Sequence, residues 1–114
     1  METDKFIRTN VTRPSKHEAV TAPIPVLRCD KDFGDKDYWM YWKCVDKPYV
    51  DEAETHHHEF DQYLGFLGGD PHDMLNLGGE VEFTLSVDGK NLEKHVFTQF
   101  TTVYIPAGLY HCPL

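Results

Sequence analysis

The chain has 114 residues, which is enough for one domain and too short for two. Hydrophobic residues make up 40% of it and charged residues 26%, a balance that permits a packed core and argues against disorder. With 11 basic and 19 acidic residues, the net charge of -8 repels phosphate backbones and argues against nucleic-acid binding.

Residues 1–25 are polar and are interrupted by Pro14, Pro23 and Pro25. This pattern predicts a partly extended N-terminal arm that packs across the domain or a neighbouring subunit. A disordered tail over the first dozen residues is the alternative. We expect residues 26–114 to form the folded domain.

Two extended segments follow the arm. Residues 37–45 are dense in aromatic and β-favouring side chains and predict a strand whose two faces both contact protein or ligand. Residues 55–67 predict a second extended segment, which ends at the turn-forming residues 68–71.

The C-terminal part of the chain has the clearest strand pattern. Apolar side chains alternate with polar ones over residues 80–87, which predicts a half-buried strand. The apolar positions are Val81, Phe83, Leu85 and Val87. A hairpin turn is expected at 88–89, further strand over 94–105 and another turn at 106–108. Short strands separated by Gly and Pro turns predict an all-β sandwich or barrel.

Cysteine usage and the absence of targeting signals bear on location. The thiols Cys29, Cys44 and Cys112 form no CxxC pair, which excludes a zinc ribbon or a CxxC redox motif. No apolar run approaches the ~20 residues that span a bilayer. The first ten residues lack the apolar core of a secretory signal. We therefore expect reduced cysteines, a cytoplasmic location and no membrane partner.

Three consecutive histidines suggest a metal site. On a strand, His56 and His58 point to one face, and Gln62 shares that face, whereas His57 points the other way. Two imidazoles at positions i and i+2 can both reach one divalent ion. The third ligand must come from elsewhere, and His111 is the candidate because an antiparallel partner strand could carry it opposite the pair. The next residue, Cys112, would then face away from His111, as a core or bystander thiol.

These residues resemble the two motifs of the cupin superfamily. The first motif is Gly, five residues, His-x-His, three or four residues, Glu, six residues, Gly. Here His56, His58 and Gly69 match it, while Val50 replaces the first Gly and Gln62 replaces Glu.

The second motif is Gly, five residues, Pro-x-Gly, two residues, His, three residues, Asn. Pro106, Gly108 and His111 match it, while Phe100 replaces the first Gly. The final Asn would follow Leu114, where the sequence ends.

The resemblance implies a small cupin-like jelly-roll β-barrel that holds a metal ion. The implied ligands are His56, His58, Gln62 and His111. For Gln62, a hydrogen bond to a bound water is the alternative role. Imidazole ligands suit several divalent transition metals, so Fe, Mn, Zn and Ni all stay open. Because cupin barrels normally continue past the second motif, the barrel would be incomplete at its C-terminus. The missing strands would come from the N-terminal segment, a partner subunit or a longer protein, and we favour the last two.

The resemblance predicts a metalloenzyme that acts on a small oxygenated metabolite bound at the metal. Isomerase or lyase chemistry and dioxygenase chemistry both stay open, and no catalytic residue is assigned. The alternative is a non-catalytic cupin module that binds a metal or a small ligand, since this fold hosts many functions. A scaffold protein with an accidental histidine cluster is a third possibility. Cupins usually pair through sheet edges, so a homodimer is expected.

Overall fold

A computed structural model of the protein describes residues 1–20 and 23–114. It divides the chain into two compact units: an N-terminal unit, Met1–Tyr49, and a C-terminal unit, Val50–Leu114. The division into an arm (1–25) and a barrel domain (26–114) stays a prediction, and residues 21–22 of that arm lie outside the described residues.

The predicted all-β class is confirmed. Apart from one 3-10 turn at Asp4–Phe6, the regular elements of the described residues are strands. In chain order they are β1 (Thr12–Arg13), β2 (Ile24–Arg28), β3 (Trp39–Tyr41), β4 (Gln62–Phe66), β5 (Asn76–Ser86), β6 (Glu93–Gln99), β7 (Thr101–Ile105) and β8 (Tyr110–His111). They form three small antiparallel sheets, ordered β1-β2-β3, β4-β7 and β6-β5-β8, and within the described residues none of these closes into a barrel. No helix in residues 1–20 and 23–114 is both long and apolar enough to cross a bilayer.

The N-terminal unit is organised around β2. Ile24 and Val26 are buried and the intervening Pro25 is exposed, as the period-two alternation of a strand requires. Val20 completes this small core, against which Tyr41 packs. The core of this unit therefore depends on one face of one central strand.

The aromatic segment at 37–45 forms a shorter strand than expected, since only β3 is regular. Trp39 is 55% exposed and Trp42 52% exposed, so these side chains do not have the buried environment predicted for both faces. The reason is topological, because β3 is an edge strand that pairs only with β2.

The core of the C-terminal unit is formed by Phe83, Ile105 and Cys112, each less than 5% exposed. Phe83 lies on β5, which is the central strand of its sheet, with β6 on one side and β8 on the other. The predicted apolar face holds at Phe83 but ends before Val87, which is 86% exposed.

Two polar residues of the same strand, Thr84 and Ser86, are buried although the alternation predicts them on the open face. The C-terminal segment explains the burial of Thr84. The Thr84 N–H donates to the Pro113 carbonyl at 3.1 Å, and the Cys112 N–H donates to the Thr84 carbonyl at 2.8 Å. The last residues of the sequence thus pair with β5.

The stretch 94–105 is divided between two sheets. It is interrupted at Phe100, whose N–H donates to the Leu75 carbonyl at 2.7 Å. β6 therefore pairs with β5, whereas β7 pairs with β4.

The turn between β5 and β6 forms as predicted. Gly89 has a φ of +77°, a conformation that favours glycine, and its N–H donates to the Ser86 hydroxyl at 2.9 Å. Asp88 accepts hydrogen bonds from the backbone N–H groups of Lys90 and Asn91, each at 2.8 Å. These bonds, followed in importance by the side-chain amide of Asn91, lower the pKa of Asp88 to about 2.

The Asp88 carboxylate should make the stability of this hairpin pH-dependent. Its folded pKa lies below the unfolded value of about 3.9, so its contribution is complete above that value and is lost as the pH falls towards about 2. We expect Asp88→Asn, which keeps an acceptor oxygen but cannot titrate, to have a lower unfolding midpoint than the unmodified protein at pH 5. This difference should shrink as the pH falls to 2. A difference that stays constant over that range would contradict the assignment.

Candidate metal centre

Two distant segments of the C-terminal unit meet at His56 and His111. Their backbones form an antiparallel bridge in which the His56 N–H donates to the His111 carbonyl at 3.0 Å and the reverse bond is 2.8 Å. This is the antiparallel pairing that the sequence suggested. It depends on the turn at 106–108, where Gly108 has a φ of +89° and its N–H donates to the His58 carbonyl at 2.8 Å.

The three predicted imidazoles form one cluster. The ring centroid of His56 lies 4.8 Å from that of His58 and 4.4 Å from that of His111, and the third separation is 5.1 Å. With metal–nitrogen bonds of about 2.0–2.1 Å, imidazoles that share one tetrahedral ion have centroids about 5 Å apart. The observed spacing therefore fits a shared ion.

Hydrogen bonds fix the tautomers of two rings. Nδ1 of His56 lies 2.9 Å from the Glu54 carbonyl, and Nδ1 of His111 lies 3.0 Å from the Leu109 carbonyl. A carbonyl oxygen only accepts, so each Nδ1 must carry the proton. Nε2 is then the basic nitrogen of each ring, and a backbone carbonyl orients the ring as is common for metal-bound histidines.

The pKa is lowered in two of the three rings, which favours their neutral form. Burial, followed by the charges of the neighbouring histidines, lowers the pKa of His58. Burial also lowers the pKa of His111, against the opposing effect of its bond to the Leu109 carbonyl. Neutral imidazole is the form that binds a metal.

Gln62 lies at the start of β4, opposite Ile105 on β7. Its Oε1 is buried and has no hydrogen-bond partner. An unsatisfied buried amide oxygen costs free energy, and a cation or a water molecule would satisfy it. Both roles considered for Gln62 are compatible with this environment.

The thiol of Cys112 lies close to the histidine cluster, although the sequence pattern predicts that it faces away from His111. Ligand atoms of His56, His111 and Cys112 all lie within 4.8 Å of one another. His58 is absent from this closely spaced set, so its ring must rotate to bring a nitrogen to the same point. The expectation that Cys112 is a core thiol is confirmed, but the expectation that it faces away from His111 is wrong.

The backbone explains this error. Alternation of neighbouring side chains requires extended backbone, whereas Cys112 has a φ of +81°. β8 ends at His111, so Cys112 lies beyond the regular strand. Within residues 1–20 and 23–114, positive φ at a non-glycine residue occurs at two other positions, Asn10 and Asp35, which belong to residue types that tolerate it better than cysteine.

His57 behaves as predicted. It is exposed, and its ring packs on Tyr110 with centroids 4.7 Å apart. It therefore points away from the cluster formed by its two neighbours and provides a natural control for them.

Comparison with protein-family models, with curated proteins and with solved structures gives no match to this chain.

Proposed function

We propose that the C-terminal unit binds one divalent transition-metal ion, with His56, His58 and His111 as ligands and Gln62 as a fourth. We further propose that it is a cupin-like metalloenzyme acting on a small oxygenated metabolite. The observation that carries the proposal is the convergence of three imidazoles, two of them held with Nε2 as the basic nitrogen by backbone carbonyls.

The strand pairing is compatible with a cupin-like barrel. β8 pairs with β5, and its last residue also bridges to His56, so the two motifs are brought together across the unit. Closing the sheets into a jelly roll would require further strand pairing beyond that of the described residues.

The donor set defines the chemistry. Imidazoles and an amide are neutral, so an ion held by these four ligands alone would keep its full +2 charge and act as a Lewis acid towards an oxygen-bearing ligand. Burial raises the pKa of the Cys112 thiol to about 11, and the negative charges of Glu52 and Asp51 add to this rise. The same two carboxylates would offset part of the charge of a bound ion. A chelating metabolite with one or two oxygen donors suits this environment better than a highly charged anion.

The chain's own groups would then orient the substrate. Burial lowers the pKa of His58 and that of His111, which favours the neutral form of both rings, so neither is suited to be the general acid. Isomerase or lyase chemistry and dioxygenase chemistry both fit a site of this kind.

A second candidate is a non-catalytic module with a structural metal. It is favoured by the placement of the ligands in the sequence. His56 lies near the first residue of the C-terminal unit and His111 near the last, so an ion between them would cross-link two segments that are far apart along the chain. A structural ion would be four-coordinate and closed by these protein ligands, whereas in the enzyme the ion would keep one or two further positions open for water or a chelating substrate.

The test of metal binding compares histidines of the same triplet. Protein purified without added metal is analysed for its metal content, and Co²⁺ is then titrated into the metal-free form. We expect about one ion per chain in the unmodified protein, loss of binding in His56→Ala, and retention in His57→Ala. Equal metal content in all three proteins would refute the site.

An experiment on the same Co²⁺-loaded protein distinguishes the proposed enzyme from the structural module. Acetohydroxamate, a bidentate oxygen ligand, is added while the visible d–d spectrum is recorded. A metalloenzyme with open positions should show a saturable spectral change. An unchanged spectrum would favour the structural role.

A further inference from the structure

The proposed metal centre contains a sulfur atom that the cupin motifs do not provide. The Sγ atom of Cys112 and one ring nitrogen from each of His56 and His111 all lie within 4.8 Å of one another. The two histidines are those whose tautomers are fixed by backbone carbonyls. Two histidines oriented by backbone carbonyls and a thiol therefore lie close to one another in the C-terminal unit.

The backbone holds Cys112 firmly in this position. Its N–H donates to the Thr84 carbonyl at 2.8 Å, and its carbonyl accepts a hydrogen bond from the Thr55 hydroxyl at 2.8 Å. Thr55 immediately precedes His56, so these bonds connect the cysteine directly to the histidine segment. The φ of +81° is costly for a residue with a side chain, and such conformations cluster at functional sites.

The distances allow closure around one ion. Zinc–nitrogen bonds of about 2.0–2.1 Å and a zinc–sulfur bond of about 2.3 Å place tetrahedral N and S ligands about 3.6 Å apart. The three donor atoms, within 4.8 Å of one another, need side-chain rotations that move them on the order of 1 Å.

We propose that Cys112 is an inner ligand of this centre, which makes it a site for thiophilic divalent ions such as Zn²⁺, Co²⁺ and Cd²⁺. The proposal rests on the function proposed above and specifies the metal class of the same site. On binding, the S–H bond is replaced by a sulfur–metal bond and the thiol proton is released to water, with no change in oxidation state. A thiolate also supplies the negative charge that the neutral imidazoles and amide lack.

The competing interpretation is a purely structural thiol. Cys112 packs with Phe83 and Ile105, and a buried cysteine often behaves simply as a small apolar residue. In that case an ion held by the histidines would have no sulfur ligand, and the spectrum of a bound metal distinguishes the two directly.

The experiment uses Co²⁺ in a background that carries Cys29→Ser and Cys44→Ser, so that Cys112 is the single thiol. Co²⁺ bound to a thiolate gives a sulfur-to-metal charge-transfer band in the near ultraviolet, which imidazole and amide ligands do not give. We expect this band to saturate at one equivalent together with the d–d bands. Saturating d–d bands without the charge-transfer band would overturn the proposal while leaving the histidine site intact. Failure to bind Co²⁺ at all would instead refute the proposed metal centre.

Substitution at the thiol provides the second measurement. In the same background, Cys112→Ser should abolish the charge-transfer band and weaken Cd²⁺ binding at least about tenfold, the lower end of the loss seen when a metal-supporting group is removed. Mn²⁺, which prefers oxygen and nitrogen ligands, should be affected much less. Equal losses for both ions would contradict a thiolate ligand. If Cys112→Ser fails to fold, the spectrum of the parent protein still decides the question.

Discussion

Replacing His111 with alanine is expected to abolish metal-dependent stabilisation of the protein. A ligand at 100 times its Kd raises the free energy of unfolding by about 2.7 kcal/mol if it binds only the folded state. The unmodified protein should gain about this amount in the presence of its metal. His111→Ala should gain none, because it lacks one of the two oriented ring nitrogens.

The variant should also be less stable without metal. His111 is 4% exposed, and its removal leaves a cavity and an unpaired Leu109 carbonyl, at a cost of about 1–3 kcal/mol for the lost hydrogen bond. For this reason the informative quantity is the difference between metal-loaded and metal-free protein within each variant. His57→Ala, whose ring points away from the cluster, should keep the full increment. An undiminished increment in His111→Ala would contradict the proposed centre.

The second large effect is expected at Phe83, which is the centre of the core in the C-terminal unit. The side chain is 1% exposed and packs with Ile105 and Cys112. Phe83→Ala should lower the free energy of unfolding by about 3–5 kcal/mol, through lost burial and the cavity left behind. Since domains are typically stable by only about 5–15 kcal/mol, this substitution will leave a large part of the protein unfolded at moderate urea concentrations.

Val87→Ala is the matched control for the core substitution. Val87 continues the same apolar alternation as Phe83, but it is 86% exposed. Its replacement should change the free energy of unfolding by less than about 0.5 kcal/mol. Urea denaturation followed by circular dichroism measures both variants. Similar losses for Phe83→Ala and Val87→Ala would show that the strand is buried in a different register.

The candidate site residues could be proposed from the sequence because each of the two segments that carry them has a local pattern. The period of a strand predicted His56 and His58, although the regular strand of the expected segment 55–67 begins only at Gln62 and His56 forms an isolated bridge. The position of His111 after a Pro-x-Gly turn made it the candidate for the third ligand. The bridge between His56 and His111 confirms that these segments pair. Their use as metal ligands, with Gln62, stays a prediction that the spacing of the rings and the buried amide oxygen support.

Cys112 shows where sequence periodicity fails. The alternation rule assumes extended backbone, and no residue pattern in the sequence indicates that Cys112 has a φ of +81°. The burial of Thr84 was missed for a related reason, because it depends on pairing with the end of the chain rather than on the strand's own pattern. In both cases a non-local contact overrides a local preference.

The extent of each strand was also set by tertiary pairing. Aromatic density predicted a strand over 37–45, but the partner strand supports only Trp39–Tyr41. Similarly, the run 94–105 is strand-like throughout, yet it divides at Phe100 because its two halves pair with different neighbours. The pairing of separate sheets is not encoded in local alternation, so barrel closure could not be derived from it.

The most direct test of the proposed centre is X-ray absorption spectroscopy of the protein loaded with one equivalent of Zn²⁺. We predict scattering from three imidazole rings at about 2.0–2.1 Å, and a diminished imidazole contribution in His56→Ala. A zinc shell of oxygen atoms alone, identical in the unmodified protein and in His56→Ala, would contradict the account.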